Sequence, residues 1–168
     1  MHQGRKTILA VLGLGLTWSI ATGASAQDLG PWRPLTAEEE KSRIGDTPAG
    51  SIDPAMIEAD FDGDGRKDKA LIAVRKSNGS RGLIAVLNGQ VHVIDPDSIE
   101  PSDSLRVAKP GRWNTICGNA FREFHECAGY PGRVTLKNPG ILAISDGRTV
   151  LYVWDRKAKR FNGVLMVD

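Results

Sequence analysis

From residue 55 onward, apolar positions come in short runs broken by dipeptides that turn the chain. "LIAVR" at 71–75 is a compact run rich in β-formers. "LIAVL-NG-QVHVI" at 83–94 sets Asn88-Gly89 between two apolar segments, and "ILAIS-DG-RTVLYVW" at 141–154 repeats the device with Asp146-Gly147. Asn-Gly and Asp-Gly between apolar segments are the strongest short hairpin signal, so both stretches read as β-hairpins. "LYVWD-RKAK-RFNGVLMV" adds a further return through Asp155 to Arg160, a charged segment that reads as a solvated loop. Hairpins join strands that are neighbours in the chain. The pattern therefore predicts a mainly β fold, an antiparallel meander bent into a sandwich or partial barrel. His92 alternates with Val91 and Val93 and is expected on the exposed face of its strand.

Helical signals occur in one place. "TAEEEKSRIG" has Thr36 at an N-cap and Glu39 three residues on, with acids early, bases late and Gly45 as a stop. One short N-terminal helix is predicted at 37–44. The preceding "QDLGPWRPL", 27–35, holds two prolines and a glycine and reads as an irregular leader. Residues 109–133, rich in Gly, Pro and Asn, read as irregular too.

Residues 1–26 stand apart. His2, Arg5 and Lys6 form a basic head, "ILAVLGLGLTWSI" is an apolar run of 13 residues, and "ASA" ends it with a small-x-small cleavage pattern. A bilayer span needs about 20 apolar residues. The segment reads as a signal peptide, with a mature chain from Gln27, no stable membrane anchor after cleavage, and a periplasmic or secreted location. Residues 27–54 then form a leader with the short helix, and 55–168 a single β-rich domain. The chain has 22 Lys+Arg and 20 Asp+Glu, and losing Arg5 and Lys6 brings the mature chain to zero net charge. That balance offers no electrostatic case for nucleic acid or an anionic membrane.

Export also bears on the two cysteines. In oxidising surroundings Cys117 and Cys127 are expected to form a disulfide. The competing arrangement is a metal site of both thiols with His125 and Glu123 or Glu126, an irregular local cluster for a tetrahedral ion.

The densest chemistry is "DFDGDGRKD" at 60–68. Numbered from Asp60, carboxylates fall at positions 1, 3, 5 and 9: Asp60, Asp62, Asp64 and Asp68. Gly65 sits at 6, where a calcium loop turns sharply, and Arg66 at 7 can offer its carbonyl. Oxygen-only donors select calcium, and less readily magnesium, over zinc. The bland alternative is a solvated Asp-Gly turn. Lys67 at position 8 and Leu71 at position 12 exclude an EF-hand, which needs an apolar residue and a bidentate Glu there. An apolar β-like run follows instead of a helix, and the loop occurs once, so the chain is not a repeat array.

These residues carry a resemblance. "DFDGDGRKDKALIAV" looks like the calcium loop of FG-GAP and VCBS-type repeats, in which a D-x-(D/N)-G-D-G-x-x-D loop opens a β-strand. Pro110 to Gly118, Leu136 to Ile141 and Tyr152 to Phe161 further resemble, in order, stretches of small exported bacterial proteins with a single such loop. The resemblance spans about residues 55–168. It implies Asp60, Asp62, Asp64 and Asp68 as side-chain ligands of calcium and Arg66 as a carbonyl ligand.

His92 and His125 lie in no recognisable catalytic motif, and "DPDSIEPSD" around Ser102 and Ser104 reads as hydrogen-bonded turns. The expected function is an exported, non-catalytic calcium-binding β-domain that binds an unknown protein or cell-envelope partner. An inhibitor or immunity-type protein acting on an exported enzyme is the alternative. A hydrolase using the loop's metal comes third.

Overall fold

A computed structural model describes residues 27–45, 52–118 and 127–166. Residues 1–26, expected to be a signal peptide, lie outside the described residues, as do Glu123, His125 and Glu126. The elements run β1 (Trp32–Pro34), α1 (Ala37–Ile44), β2 (Met56–Ala59), β3 (Asp68–Arg75), β4 (Arg81–Leu87) and β5 (Gln90–Asp95). They continue with β6 (Ser104–Ala108), β7 (Gly111–Asn114), β8 (Arg133–Leu136), β9 (Gly140–Ser145), β10 (Arg148–Asp155) and β11 (Arg160–Leu165).

All pairings are antiparallel. The first sheet runs β1-β3-β4-β5, with β2 also on the β3 edge, and the second runs β11-β10-β9-β6. Both are open sheets, and the fold is a mainly β sandwich rather than a closed barrel. The three expected hairpins are present: β4–β5 around Asn88-Gly89, β9–β10 around Asp146-Gly147, and β10–β11 through Arg156 to Lys159. Asn88 and Gly89 both take positive φ, 50° and 79°, as the type I′ turn demands.

Alternation along the strands divides the core into layers. Ile72, Leu83, Ala85 and Leu87 of the first sheet meet Leu105, Ile141, Ala143 and Tyr152 of the second, around a fully buried Phe61. The other face of the first sheet, with Leu71, Ala73, Ile84 and Val86, packs against Leu29 and Trp32. On the second sheet's far side, Leu142 and Leu151 pack beneath the β7–β8 ribbon through Leu136, Trp113 and Val134. Both faces of each sheet are thus partly covered, which explains the near-continuous apolar runs.

Helix α1 matches its sequence signature. The Thr36 hydroxyl accepts the Glu39 N–H while the Glu39 carboxylate accepts the Thr36 N–H. Arg33 forks onto the same carboxylate at 2.7 and 2.8 Å, and these bonds hold the Glu39 carboxyl at about 2. Arg43, almost wholly buried, pairs with Glu40 and reaches the Asp103 carbonyl, docking the helix on the sandwich.

Two stretches expected to be irregular contain strands. Trp32–Pro34 pairs with Ala73–Arg75, and Gly111–Asn114 pairs with Arg133–Leu136. Both pairings are non-local, so composition dominated by Gly and Pro conceals them. A three-residue edge strand also tolerates the missing N–H of Pro34.

Candidate metal centre

The acidic loop joins the end of β2 to β3, and its residues alternate in role. Phe61 drops into the inter-sheet core at 1% exposure, which leaves its neighbours Asp60 and Asp62 at the rim. Asp68, the first residue of β3, is itself buried at 3% exposure. Asp60, Asp62 and Asp68 each bring a carboxylate oxygen to within 4.8 Å of the others, a cluster that could hold a metal ion. Asp64 stands outside that group, on the exposed side of the loop.

Backbone donors organise the cluster. The Asp68 Oδ2 accepts the N–H groups of Phe61 at 2.9 Å and Asp62 at 3.3 Å. Asp60 accepts from Asp64 at 3.0 Å and Gly65 at 2.9 Å. The Asp62 Oδ1 takes the Asp64 N–H at 3.0 Å, and Asp64 takes the Arg66 N–H at 2.8 Å. Such a succession of Asx turns needs left-handed backbone, supplied by Gly63 at φ 71° and Gly65 at φ 89°. The side chains of Arg66, Lys67 and Lys69 are exposed, so they do not enter the cluster.

The arrangement concentrates negative charge. Two unit charges about 4 Å apart repel by about 1 kcal/mol in water and about 4 kcal/mol at a partly buried site. Burial raises the Asp68 carboxyl above its ordinary value, against the N–H groups of Phe61 and Asp62, with the neighbouring Asp62 and Asp64 charges adding to the rise. His92 faces the same region. Its ring meets Trp154 edge-on at 4.9 Å, and burial lowers its pKa despite the nearby Asp62 carboxylate. The expectation that His92 sits on an exposed face is therefore corrected. Val93 is the exposed residue, at 52%, while His92 points between the sheets, because apolar cover on both faces makes alternation ambiguous.

Two residues from distant hairpins grip the loop and a third crowds it, and none is evident from the loop's own sequence. Arg156, in the β10–β11 turn, donates from Nε to the Asp62 carbonyl at 2.7 Å and from Nη2 to the Gly63 carbonyl at 2.6 Å. Asn88, in the β4–β5 turn, donates to Asp62 Oδ2 at 3.1 Å. Asn138, between β8 and β9, lies so close to Gly63 that a Cβ there would sit 2.3 Å from its amide nitrogen. Gly63 is required twice over, by backbone angle and by this approach. The segment Asp155–Arg160 is thus more than a solvated turn: it holds the acidic loop of the first sheet against the second.

The cysteines form a disulfide, Cys117–Cys127, with Cα atoms 5.5 Å apart. Thr115 ties the same segment across by donating to the Pro131 carbonyl at 2.5 Å. "DPDSIEPSD" forms the expected turns, with Asp95 accepting the N–H groups of Asp97 and Ser98, and Asp103 that of Glu100.

No known protein family, curated protein or solved structure matches this chain.

Proposed function

We propose that the chain is a calcium-binding β-domain of the FG-GAP/VCBS-loop kind. One ion is held by the side chains of Asp60, Asp62 and Asp68, and Asp64 and the carbonyl of Arg66 complete its coordination by turning in from the exposed side of the loop. The observation that carries this reading is the convergence of three carboxylates within 4.8 Å at the mouth of a loop already braced from two other hairpins. The donor set is all oxygen, which suits calcium better than a softer or smaller ion. A bound dication offsets the mutual repulsion of the carboxylates and the cost of burying Asp68. Its role is structural: it pins the entry to β3 and, through Arg156, the contact between the sheets. We further propose that the domain is exported and acts without catalysis, as a binding or interaction module for a protein or cell-envelope partner.

Extracellular calcium modules work with dissociation constants of about 10⁻⁴ to 10⁻³ M. At a tenfold excess over the dissociation constant, linkage predicts about 1.4 kcal/mol of added stability. For a chain of this size that raises Tm by about 4 °C. Titration calorimetry of residues 27–168 should show saturable calcium heat, and Asp62→Ala should abolish both the heat and the Tm rise. Equal heats from the two proteins would refute the assignment.

A further inference from the structure

Beside the acidic loop lies an open cavity of about 420 Å³, walled by Thr135, Lys137, Asn138, Trp154 and Arg156 with Phe61 at its base. It is distinct from the carboxylate cluster, and its polar lining is cationic. That local sign follows a division of charge through the whole chain. Residues 105–168 contain 11 Lys+Arg against 5 Asp+Glu, while residues 27–104 contain 9 against 15. A mature chain of zero net charge is therefore built from an acidic half and a basic half, and this cavity opens mainly among residues of the basic one.

Arg156 is the best-prepared group in the cavity. A guanidinium has five N–H donors in a rigid plane. Here Nε and Nη2 are committed to the two loop carbonyls, at 2.7 and 2.6 Å, which fixes the plane, and no carboxylate among the described residues forms an ion pair with it. The Nη1 side is then held in place at little entropic cost, in the geometry that receives a carboxylate or phosphate. Lys137, an exposed ammonium, lines the same cavity. Trp154 is steadied by His92 at 4.9 Å and Phe161 at 5.1 Å, and contributes an aromatic wall.

We propose that this cavity binds a small organic oxyanion, with its carboxylate or phosphate between Lys137 and the Nη1 side of Arg156. The ring that carries the anion lies on Trp154, and Thr135 and Asn138 offer hydrogen bonds to its hydroxyl groups. The volume suits a monosaccharide-sized ligand. Such a group belongs either to an acidic sugar or to a sugar phosphate, and the chemistry of recognition is common to both.

The test uses the mature chain with D-glucuronate, glucose 6-phosphate and uncharged glucose as probes. Chemical shifts of the Trp154 indole N–H and the Arg156 Nε–H report binding. Saturable shifts with either anion and none with glucose are expected, and the tighter anion identifies the source. Lys137→Ala should weaken that anion about tenfold, the size of one lost charge-assisted hydrogen bond, and Lys137→Glu should abolish its effect. Both variants should keep the calcium heat of the parent. No saturable shift with either anion, an equal response to glucose, or indifference to both substitutions at Lys137 overturns the proposal. Anion binding in a protein that gives no calcium heat would overturn the metal assignment and leave this one standing.

Discussion

The acidic loop at 60–68 and the disulfide segment, described at 115–118 and 127–132, both connect strands, yet they are closed by opposite means. The disulfide segment is closed covalently through Cys117 and Cys127, and among the described residues Thr115 adds a neutral bond to the Pro131 carbonyl. The acidic loop has no covalent closure. Its N–H groups fold onto its own carboxylates, its aromatic residue is sunk into the core, and side chains from two hairpin turns hold its outside. One kind of closure answers to reductant. The other responds to ionic conditions, because like charges are part of its frame. Irregular chain thus differs in what perturbs it according to which bond closes it.

Breaking the core anchor of the acidic loop should have the largest effect. Phe61→Ala removes a fully buried ring from the inter-sheet core, and should cost about 4 kcal/mol in urea unfolding. Calcium heat should weaken with it, because Asp60 and Asp62 flank the lost anchor. On the other side of the comparison, Cys117→Ser combined with Cys127→Ser should cost about 3 kcal/mol by loop-closure entropy. Calcium affinity should stay unchanged, and a shift beyond twofold would show the two segments to be coupled. Asp68→Ala comes next. It strips the Phe61 and Asp62 N–H groups of their acceptor, and should cost about 2 kcal/mol. Added calcium should no longer raise Tm. Arg156→Ala removes exposed charge-assisted bonds to two carbonyls, and about 1 kcal/mol is expected. It should also lower calcium affinity severalfold by loosening the loop.

The smallest effect sharpens the contrast on the disulfide side. Tyr152 lines the cavity beneath that segment and donates its hydroxyl to Asp95 at 3.2 Å. Burial, then the Asp95 charge, pushes its pKa from 10.0 up to about 12. The folded state therefore holds this proton more tightly than the unfolded chain. The resulting stability is complete below pH 10 and disappears as pH rises through 12. Urea midpoints measured between pH 9 and 12 should fall more steeply for the parent than for Tyr152→Phe. Parallel slopes would remove Tyr152 from the account.

Local rules made much of this legible. The α1 capping box, the Asn88-Gly89 and Asp146-Gly147 turns and the carboxylate spacing all depend on residues within a few positions of one another. Such interactions read directly from sequence and recur in the structure. What escaped depended on distance along the chain. Trp32–Pro34 finds β3 some forty residues later, and β7 finds β8 across the disulfide segment. His92 turned inward because Trp154 lies on the facing sheet. Arg156, which reads as one of several solvated charges in its turn, reaches carbonyls more than ninety residues earlier.

The sequence alone determined a mainly antiparallel β chain with one capped helix, a disulfide-forming pair of cysteines and an acidic loop of oxygen donors. The strands, helix and loop follow from short-range geometry (dihedral preferences, periodicity, and ligand spacing within a single loop), and the disulfide from the oxidising surroundings expected of an exported chain. The tertiary structure decided that Asp60, Asp62 and Asp68 converge while Asp64 stands aside. It also decided that the β10–β11 turn clasps the loop, and that a cationic cavity opens beside an anionic cluster. Those outcomes depend on how two sheets pack. Packing brings together residues whose separation in sequence carries no information about their distance in space.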